Sequence, residues 1–393
     1  MRGSEWRKWD LHVHSPFSNL NNNYNCTIQD FANKILAENI AVIGLTNYFF
    51  ISKQEIDDVK NALAGRCLVI PNIEFRINDK NKDNEFINYH VLFNPQIDIT
   101  KVHQTLARLK LNNLRADNIY CTPENLATYG YASVTVSFDD LYKILHNDFK
   151  EGDDFVLVGP FKGYGGFCPD NKERNINLAT KLDQKSSIIF SKKEDSDFFL
   201  NTVGKRHIYN LLAKPVIYCS DAHTINDIGK NFTWIKADIT FEGFKQIIYE
   251  PEHRVRIQAD KPDEKDARLI IDKIQFVTED NRFTTKEIFL NENLNVIIGG
   301  KSSGKSILLY NIAKTLLPDR TDRSVLKYKN PDTNTYQYKY NFENFDFKVT
   351  LKSGAEQSVS RKDDESSILP EIKYIPQNYL SELAEKNIKK VMN

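Results

Sequence analysis

The sequence lacks any apolar run near the roughly 20 residues that a bilayer-spanning helix needs. It lacks net charge as well, because Lys+Arg and Asp+Glu both number 53. That balance excludes a general electrostatic pull toward nucleic acid or anionic lipid, although a local basic groove remains compatible with it. Cysteine is sparse and badly placed for bridging. Cys26, Cys67, Cys121, Cys168 and Cys219 are odd in number and widely spaced, with no CxxC pair. This excludes a disulfide framework and a thiolate zinc site, and points to a reducing, cytoplasmic setting. The first nine residues are charged and have no apolar core, so no secretory leader is expected. Internal repeats and low-complexity tracts are missing too.

What is present is enough for sizeable cores. Hydrophobic residues make up 40% and charged residues 27% of 393 positions, which argues for one very large or two ordinary domains and against global disorder. The first part alternates strand-like runs with helix-like stretches. The candidate strands are Asp10–His14, Ile40–Asn47, Cys67–Arg76, Ile87–Asn94, Phe155–Pro160, Ser187–Phe190 and Lys214–Ser220. Between the first two, Phe31, Ile35 and Leu36 recur at helical spacing, and Thr27 is placed to cap that helix. Such alternation predicts a parallel α/β sheet or barrel, with functional groups at the C-terminal strand ends. The polar stretch 258–266, "QADKPDEKD", reads as a domain boundary: a first domain over 1–258, a linker over 259–266 and a second domain over 267–393.

The histidines and carboxylates carry the chemistry. In "DLHVHS", His12 and His14 stand two apart, so an extended chain turns both to one side of the sheet. A lone pair of this kind is a common accident. A second strand-like run, "PVIYCSDAHT", ends in Asp221 and His223, again two apart. Glu74 closes "CLVIPNIE" and His90 interrupts "INYHVLF". A carboxylate within an apolar run is costly to bury alone, and a bound cation is the usual remedy. Imidazole and carboxylate ligands together suit Mn, Zn or Fe better than Mg. His103, His146, His207 and His253 lack such placement and read as ordinary surface or core residues, His207 being the best reserve ligand. The loop "FKGYGGFC" (Phe161–Cys168) fits a substrate loop or a plain connector equally well.

The second domain carries a different signal. "GGKSSGKS" fits the pattern G-x-x-x-x-G-K-[ST] through Gly299, Gly304, Lys305 and Ser306, with Gly300, Lys301 and Ser303 inside the loop. The apolar run "NLNVIIG" precedes it as an expected strand, and "SILLYNIAKTLL" follows as an expected helix. Backbone N–H groups and the helix N-terminus of such a loop cradle phosphates, with the Lys on the β- and γ-phosphates and the Ser on Mg²⁺. ATP and Mg are therefore the expected ligands.

"DLHVHS", "LVIPNIE", "NYHVLF" and "CSDAH", in this order, resemble the motifs of the PHP (polymerase and histidinol phosphatase) family. "RGSEWRKWDLHVHSPFS" and "DIGKNFTWIKADITFEGFKQIIYEPEHRVRI" resemble its TrlF-type members, in which a PHP domain precedes an AAA/ABC-like ATPase. The resemblance implies a distorted (β/α)7 barrel and metal-dependent phosphoester hydrolysis. It implies that His12, His14, Glu74 and Asp221 bind a first metal, that Glu74 bridges to a second metal bound by His90, and that His223 belongs to a third site. Two family motifs are altered: Thr-Asp-His reads Thr46-Asn47-Tyr48, and "VLVGPFKGYGG" lacks the usual His. The acidic or His position after the HxH pair falls near Asn19. One or two metals are expected, not three.

"IKYIPQNYL" is similar to the Q-loop of ABC- and SMC-like ATPases, with Gln377 on Mg²⁺ or water. Neither a Walker B run nor a signature motif follows, so the rest of this partial nucleotide-binding domain is expected outside the sequence. The resemblance implies an ATP-regulated nuclease on DNA or RNA, a homodimer through the ATPase domain and a role in anti-phage defence; with no apolar run of spanning length and no net charge, no membrane partner is expected. The alternative is an ATPase-driven module that binds nucleic acid or a partner protein and whose PHP site is degenerate. A phosphomonoesterase of the histidinol phosphatase kind would need the intact three-metal set.

Overall fold

The computed structural model describes residues 2–163, 165–170, 172–203, 206, 211–279, 283–301, 303–317, 345–362 and 365–375. Two compact units emerge: Gly3–Pro262, and 263–393 together with the first two residues. Gln377, Ser302 and His207 lie outside the described residues.

The first unit is mixed α/β. Its strands are β1 (Glu5–His14), β2 (Ile40–Tyr48), β3 (Leu68–Lys80), β4 (Phe86–Phe93), β5 (Leu111–Asn112), β6 (Thr135–Val136), β7 (Phe155–Pro160), β8 (Ile188–Phe190), β9 (Val216–Ile217), β10 (Thr233–Ala237) and β11 (Val255–Arg256). They run in the order β11-β10-β1-β2-β3-β4-β7-β8-β9, with β5 and β6 attached beside β3. Past β9 the chain returns to β1: Ala222 bridges Val13, and the His14 N–H donates to the Ala222 carbonyl at 3.1 Å. The sheet is thus nearly closed, like a barrel.

The parallel sheet expected from the alternation pattern is only partly realised. β1-β2-β3 and β7-β8-β9 are parallel, whereas β4 runs antiparallel to both β3 and β7, and β10 antiparallel to β1. The reason at β3–β4 is the connection. Residues 81–85 are too short for a crossover helix and long enough for a hairpin.

Helix α1 (Ile28–Ala37) forms where predicted. Thr27 accepts from the Asp30 N–H at 3.1 Å and Asp30 accepts from the Thr27 N–H at 3.0 Å, a reciprocal cap. Phe31 and Ile35 on its inner face are fully buried, each such burial contributing about 1.5–3 kcal/mol. Strand side chains alternate between two cores. Ile43, Leu45, Val69, Ile73 and Val91 face the helices. Trp9, Leu11, Val42, Ile70 and Val158 fill the other face together with Phe244 and Ile247.

Gly44 sits where β1 and β2 shift register between Asp10 and Val13. A Cβ there would stand 2.0 Å from the Leu11 carbonyl oxygen. Only glycine lets that carbonyl turn inward.

The second unit holds a four-stranded sheet, β13 (Ile288–Phe289), β12 (Ile271–Thr278), β14 (Phe345–Leu351) and β15 (Glu356–Ser358), in that order. Alternate residues of β14 are buried, with Phe347 and Val349 at its core. The helix Lys305–Leu316 follows the glycine-rich loop as expected. The strand expected before that loop is not formed. Leu294, Val296 and Ile298 are exposed, and 293–299 pairs with no strand among the described residues. Extended backbone without a ladder neighbour leaves its polar groups to water, so the apolar pattern alone does not make a strand. Among the described residues no helix is long and apolar enough to cross a membrane.

Candidate metal centre

β1 delivers two imidazoles to one place. His12 and His14 project from its C-terminal end, with Nε2 atoms 3.1 Å apart. Glu74 arrives on β3 and His90 lies directly opposite it on β4. Asp221 comes from the turn after β9, where its backbone takes a φ of 51°. That left-handed conformation is uncommon for a non-glycine residue and tolerable for Asp.

The donor atoms are close enough to share a centre. His12 Nε2 lies 3.2 Å from Glu74 Oε2 and 3.1 Å from Asp221 Oδ1, and His14 Nε2 lies 3.3 and 3.6 Å from the same two oxygens. Ligands held about 2.0–2.2 Å from one divalent cation stand about 3–3.6 Å from each other, a spacing that His12, His14 and Asp221 meet as one group. A second group of potential ligands, His12, Glu74 and His90, overlaps the first. His223 stacks on His14, with ring centroids 4.1 Å apart, and its Nε2 is 3.5 Å from Asp221 Oδ1. Its Nδ1 is buried without a partner among the described residues.

Electrostatics here are strongly coupled. Burial opposes charge on His12, but the carboxylates of Asp221 and Glu74 lift its pKa to about 9. Burial also pushes against ionised Glu74 and Asp221, yet the surrounding imidazoles hold both carboxyls well below the usual range. Burial, reinforced by positive charge on His12, presses His90 down to about 3. Below these groups lies Asp10, fully buried and raised by that burial to about 6, accepting from the Ser220 N–H at 3.0 Å. Ser18 Oγ donates to the Leu20 carbonyl and meets His14 Nδ1 at 3.3 Å, leaving His14 Nε2 for the centre.

The altered motif is explained by its contacts. Asn47 gives its amide to Glu55 Oε2 at 3.1 Å and accepts from the Asn19 N–H at 2.9 Å, so it braces the loop after β1. Tyr48 stacks its ring 4.7 Å from that of His14. Asn19 itself contributes backbone to this brace; Asn21 is the loop residue that reaches the cavity.

The cavity over these ligands holds about 330 Å³, near the lower end of the usual range for small-molecule sites, about 300–1,000 Å³. Arg76, Lys162 and Lys192 line it on the cationic side, while Phe190 and Ile217 supply apolar wall. Lys162 also pairs with Asp195, and Arg76 donates to the Ala132 carbonyl at 2.6 Å. Motif reading missed Arg76 and Lys192, and had Lys162 only as part of the loop 161–168. The signal available was their position, two residues past Glu74 and just after two strand ends. The loop 161–168 does reach the cavity, through Lys162 and Gly163. His103 and His146 lie elsewhere, held by the carbonyls of Ile51 and Tyr142.

In the second unit, Lys305 Nζ donates to the carbonyls of Gly299 and Gly300 at 2.8 and 2.6 Å. Gly304 takes a φ of 88° as it opens the helix, a conformation that favours glycine. Lys301 and Ser306 flank this turn, and Gln377 is outside the described residues.

No protein-family model and no curated protein matches the chain. Among solved structures, a Bifidobacterium adolescentis protein provisionally named a metal-dependent phosphoesterase aligns with 61% of this chain and 95% of its own, at a TM-score of 0.34 and 10% identity.

Proposed function

We propose that the unit Gly3–Pro262 is a divalent-metal-dependent phosphoesterase, and that its substrate is a phosphodiester of DNA or RNA. The reading is carried by the convergence of His12, His14, Glu74 and Asp221, whose donor atoms stand 3.1–3.6 Å apart across the pairs given above. A divalent cation bound there supplies a Lewis acid for a phosphoryl oxygen and lowers the pKa of water toward neutrality. His12, His14, Glu74 and Asp221 would hold it, with His90 beside Glu74 for a second ion; Mn, Zn and Fe suit the donors.

The chain's own residues do the rest. Arg76, Lys162 and Lys192 line the cavity where a substrate phosphate would sit, and offset its charge. Phe190 and Ile217 give the cavity an apolar wall. Glu74 is nearly fully buried, which fixes its carboxylate between the imidazoles.

The second unit is read as a nucleotide-binding regulator. Gly299, Gly300, Lys301, Ser303, Gly304, Lys305 and Ser306 would form the phosphate loop for ATP and Mg²⁺, and Gln377 would contact Mg²⁺ or the attacking water. Dimerisation through this unit, and a defence role against phage, extend the same reading.

A second reading keeps the cation and drops catalysis, so that the first unit binds nucleic acid or a partner protein. The Tyr48 ring against His14 favours it, because that position then offers no third-metal ligand. Purified protein with Mn²⁺ decides between them. Cleavage of DNA or RNA that His12→Ala and Asp221→Ala abolish supports the hydrolase; full cation occupancy with no turnover of any phosphoester supports the binding module.

A further inference from the structure

We infer that Asn72 is a positioning residue that locks His90 in a single tautomer, with the proton on Nδ1 and the bare Nε2 turned toward His12 and Glu74. The inference rests on the metal-centre reading, since it assigns the atom by which His90 would join that centre.

The orientation of the Asn72 amide follows from what it faces. One end stands 3.1 Å from the Leu11 carbonyl oxygen and 2.9 Å from Thr46 Oγ1. A carbonyl oxygen can only accept. Thr46 Oγ1 sends its own hydrogen to the Gly44 carbonyl at 3.0 Å, so it too presents a lone pair to Asn72. The end facing both must be the NH2 group, because an oxygen there would meet two acceptors in a site with no solvent. Asn72 and Thr46 are both fully buried. Oδ1 is thereby committed to the other side, 3.3 Å from His90 Nδ1. An amide oxygen cannot donate, so Nδ1 carries the hydrogen and Nε2 keeps its lone pair.

Backbone geometry anchors the whole chain of contacts. Thr46 and Asn72 are direct partners in the β2–β3 ladder, and Glu74 and His90 are direct partners in the β3–β4 ladder. The Leu11 carbonyl reaches Asn72 only because Gly44 has no side chain at the point of closest approach. A relay from two main-chain carbonyls through Thr46 and Asn72 thus ends at the imidazole. Asn72 lies two residues before Glu74, so one strand supplies both a ligand and the residue that orients its neighbour.

The test is the ring-nitrogen signature of His90 in metal-free wild-type protein labelled with 15N-histidine, with His90→Gln assigning the signals. The expected pattern is a protonated Nδ1 and an unprotonated Nε2. In Asn72→Leu the single tautomer is lost and the weaker-bound of two Mn²⁺ ions loses affinity by about 10–100-fold. A wild-type His90 protonated on Nε2 overturns the inference, with no variant needed. So does a folded Asn72→Leu with the tautomer and both Mn²⁺ affinities unchanged. Wild-type protein with the expected tautomer but no second Mn²⁺ supports the lock and removes the second-cation reading alone.

Discussion

Asp221 Oδ1 stands 3.1 Å from His12 Nε2, although the two residues come from opposite ends of the first unit. Their closeness is set by the bridge between Val13 and Ala222 that nearly closes the sheet. Asp221 is also the most open of the candidate ligands, with 61% of its side chain exposed, while Glu74 has 3%. It therefore lies at the open side of the cavity.

Removing this exposed ligand tests the centre with little risk to the core. Asp221→Asn is expected to fold normally by circular dichroism and to weaken Mn²⁺ binding by about 100-fold or more, beyond the loss typical of an outer partner. Titration calorimetry with the metal-free protein measures it. Unchanged affinity would remove Asp221 from the ligand set.

Proton release provides a second check. With no cation bound, the carboxylates hold the His12 pKa up at about 9. Below that pH the imidazole carries a proton that an incoming cation must displace. Affinity should thus rise with pH up to about 9, and binding at neutral pH should release protons. Calorimetry in buffers of different ionisation enthalpy reads the number directly.

Gly44→Ala places a methyl group against the Leu11 carbonyl. The backbone cannot yield as a flexible side chain would, so a destabilisation at or above the usual overpacking cost of about 1–3 kcal/mol is expected. Denaturant unfolding of the mutant would show it as a lower midpoint.

A buried ion cluster makes a stability prediction away from the site. Lys214 pairs with Asp183 at 2.9 Å and donates to the Ser186 carbonyl at 2.6 Å, while Arg206 pairs with the same Asp183. Lys214→Ala leaves a buried carboxylate with one cation fewer, and should cost about 3–5 kcal/mol. Thermal unfolding measures the loss, and cation binding at His12 should be unaffected.

The cationic rim bears on substrate. Lys192→Ala should leave Mn²⁺ affinity unchanged and reduce the slope of log affinity for a DNA or RNA oligonucleotide against log salt by about 1. A slope equal to wild type would take Lys192 out of phosphate contact.

Much of this was legible beforehand. The strand end at His14, the turn at Asp221 and the Thr27 cap follow from side-chain alternation and local hydrogen bonding, which act within a few residues; Glu74 instead lies mid-strand, because the β3–β4 hairpin carries β3 on to Lys80. The hairpin between β3 and β4 was not, because the alternating pattern does not encode strand direction. Nor was the empty ladder beside Leu294, Val296 and Ile298, since an apolar run records a demand for a neighbour without supplying one.

The amino-acid order by itself determined which residues could bind a cation: two imidazoles two apart, a carboxylate in an apolar run, a second acid–imidazole pair. Tertiary structure alone decided that they meet, and by which atoms. Sheet closure brings Asp221 to His12, and the inward Leu11 carbonyl, admitted by Gly44, orients Asn72 and through it His90. Such contacts join strands far apart in the chain, and their geometry is set by backbone register, which no local pattern of residues carries.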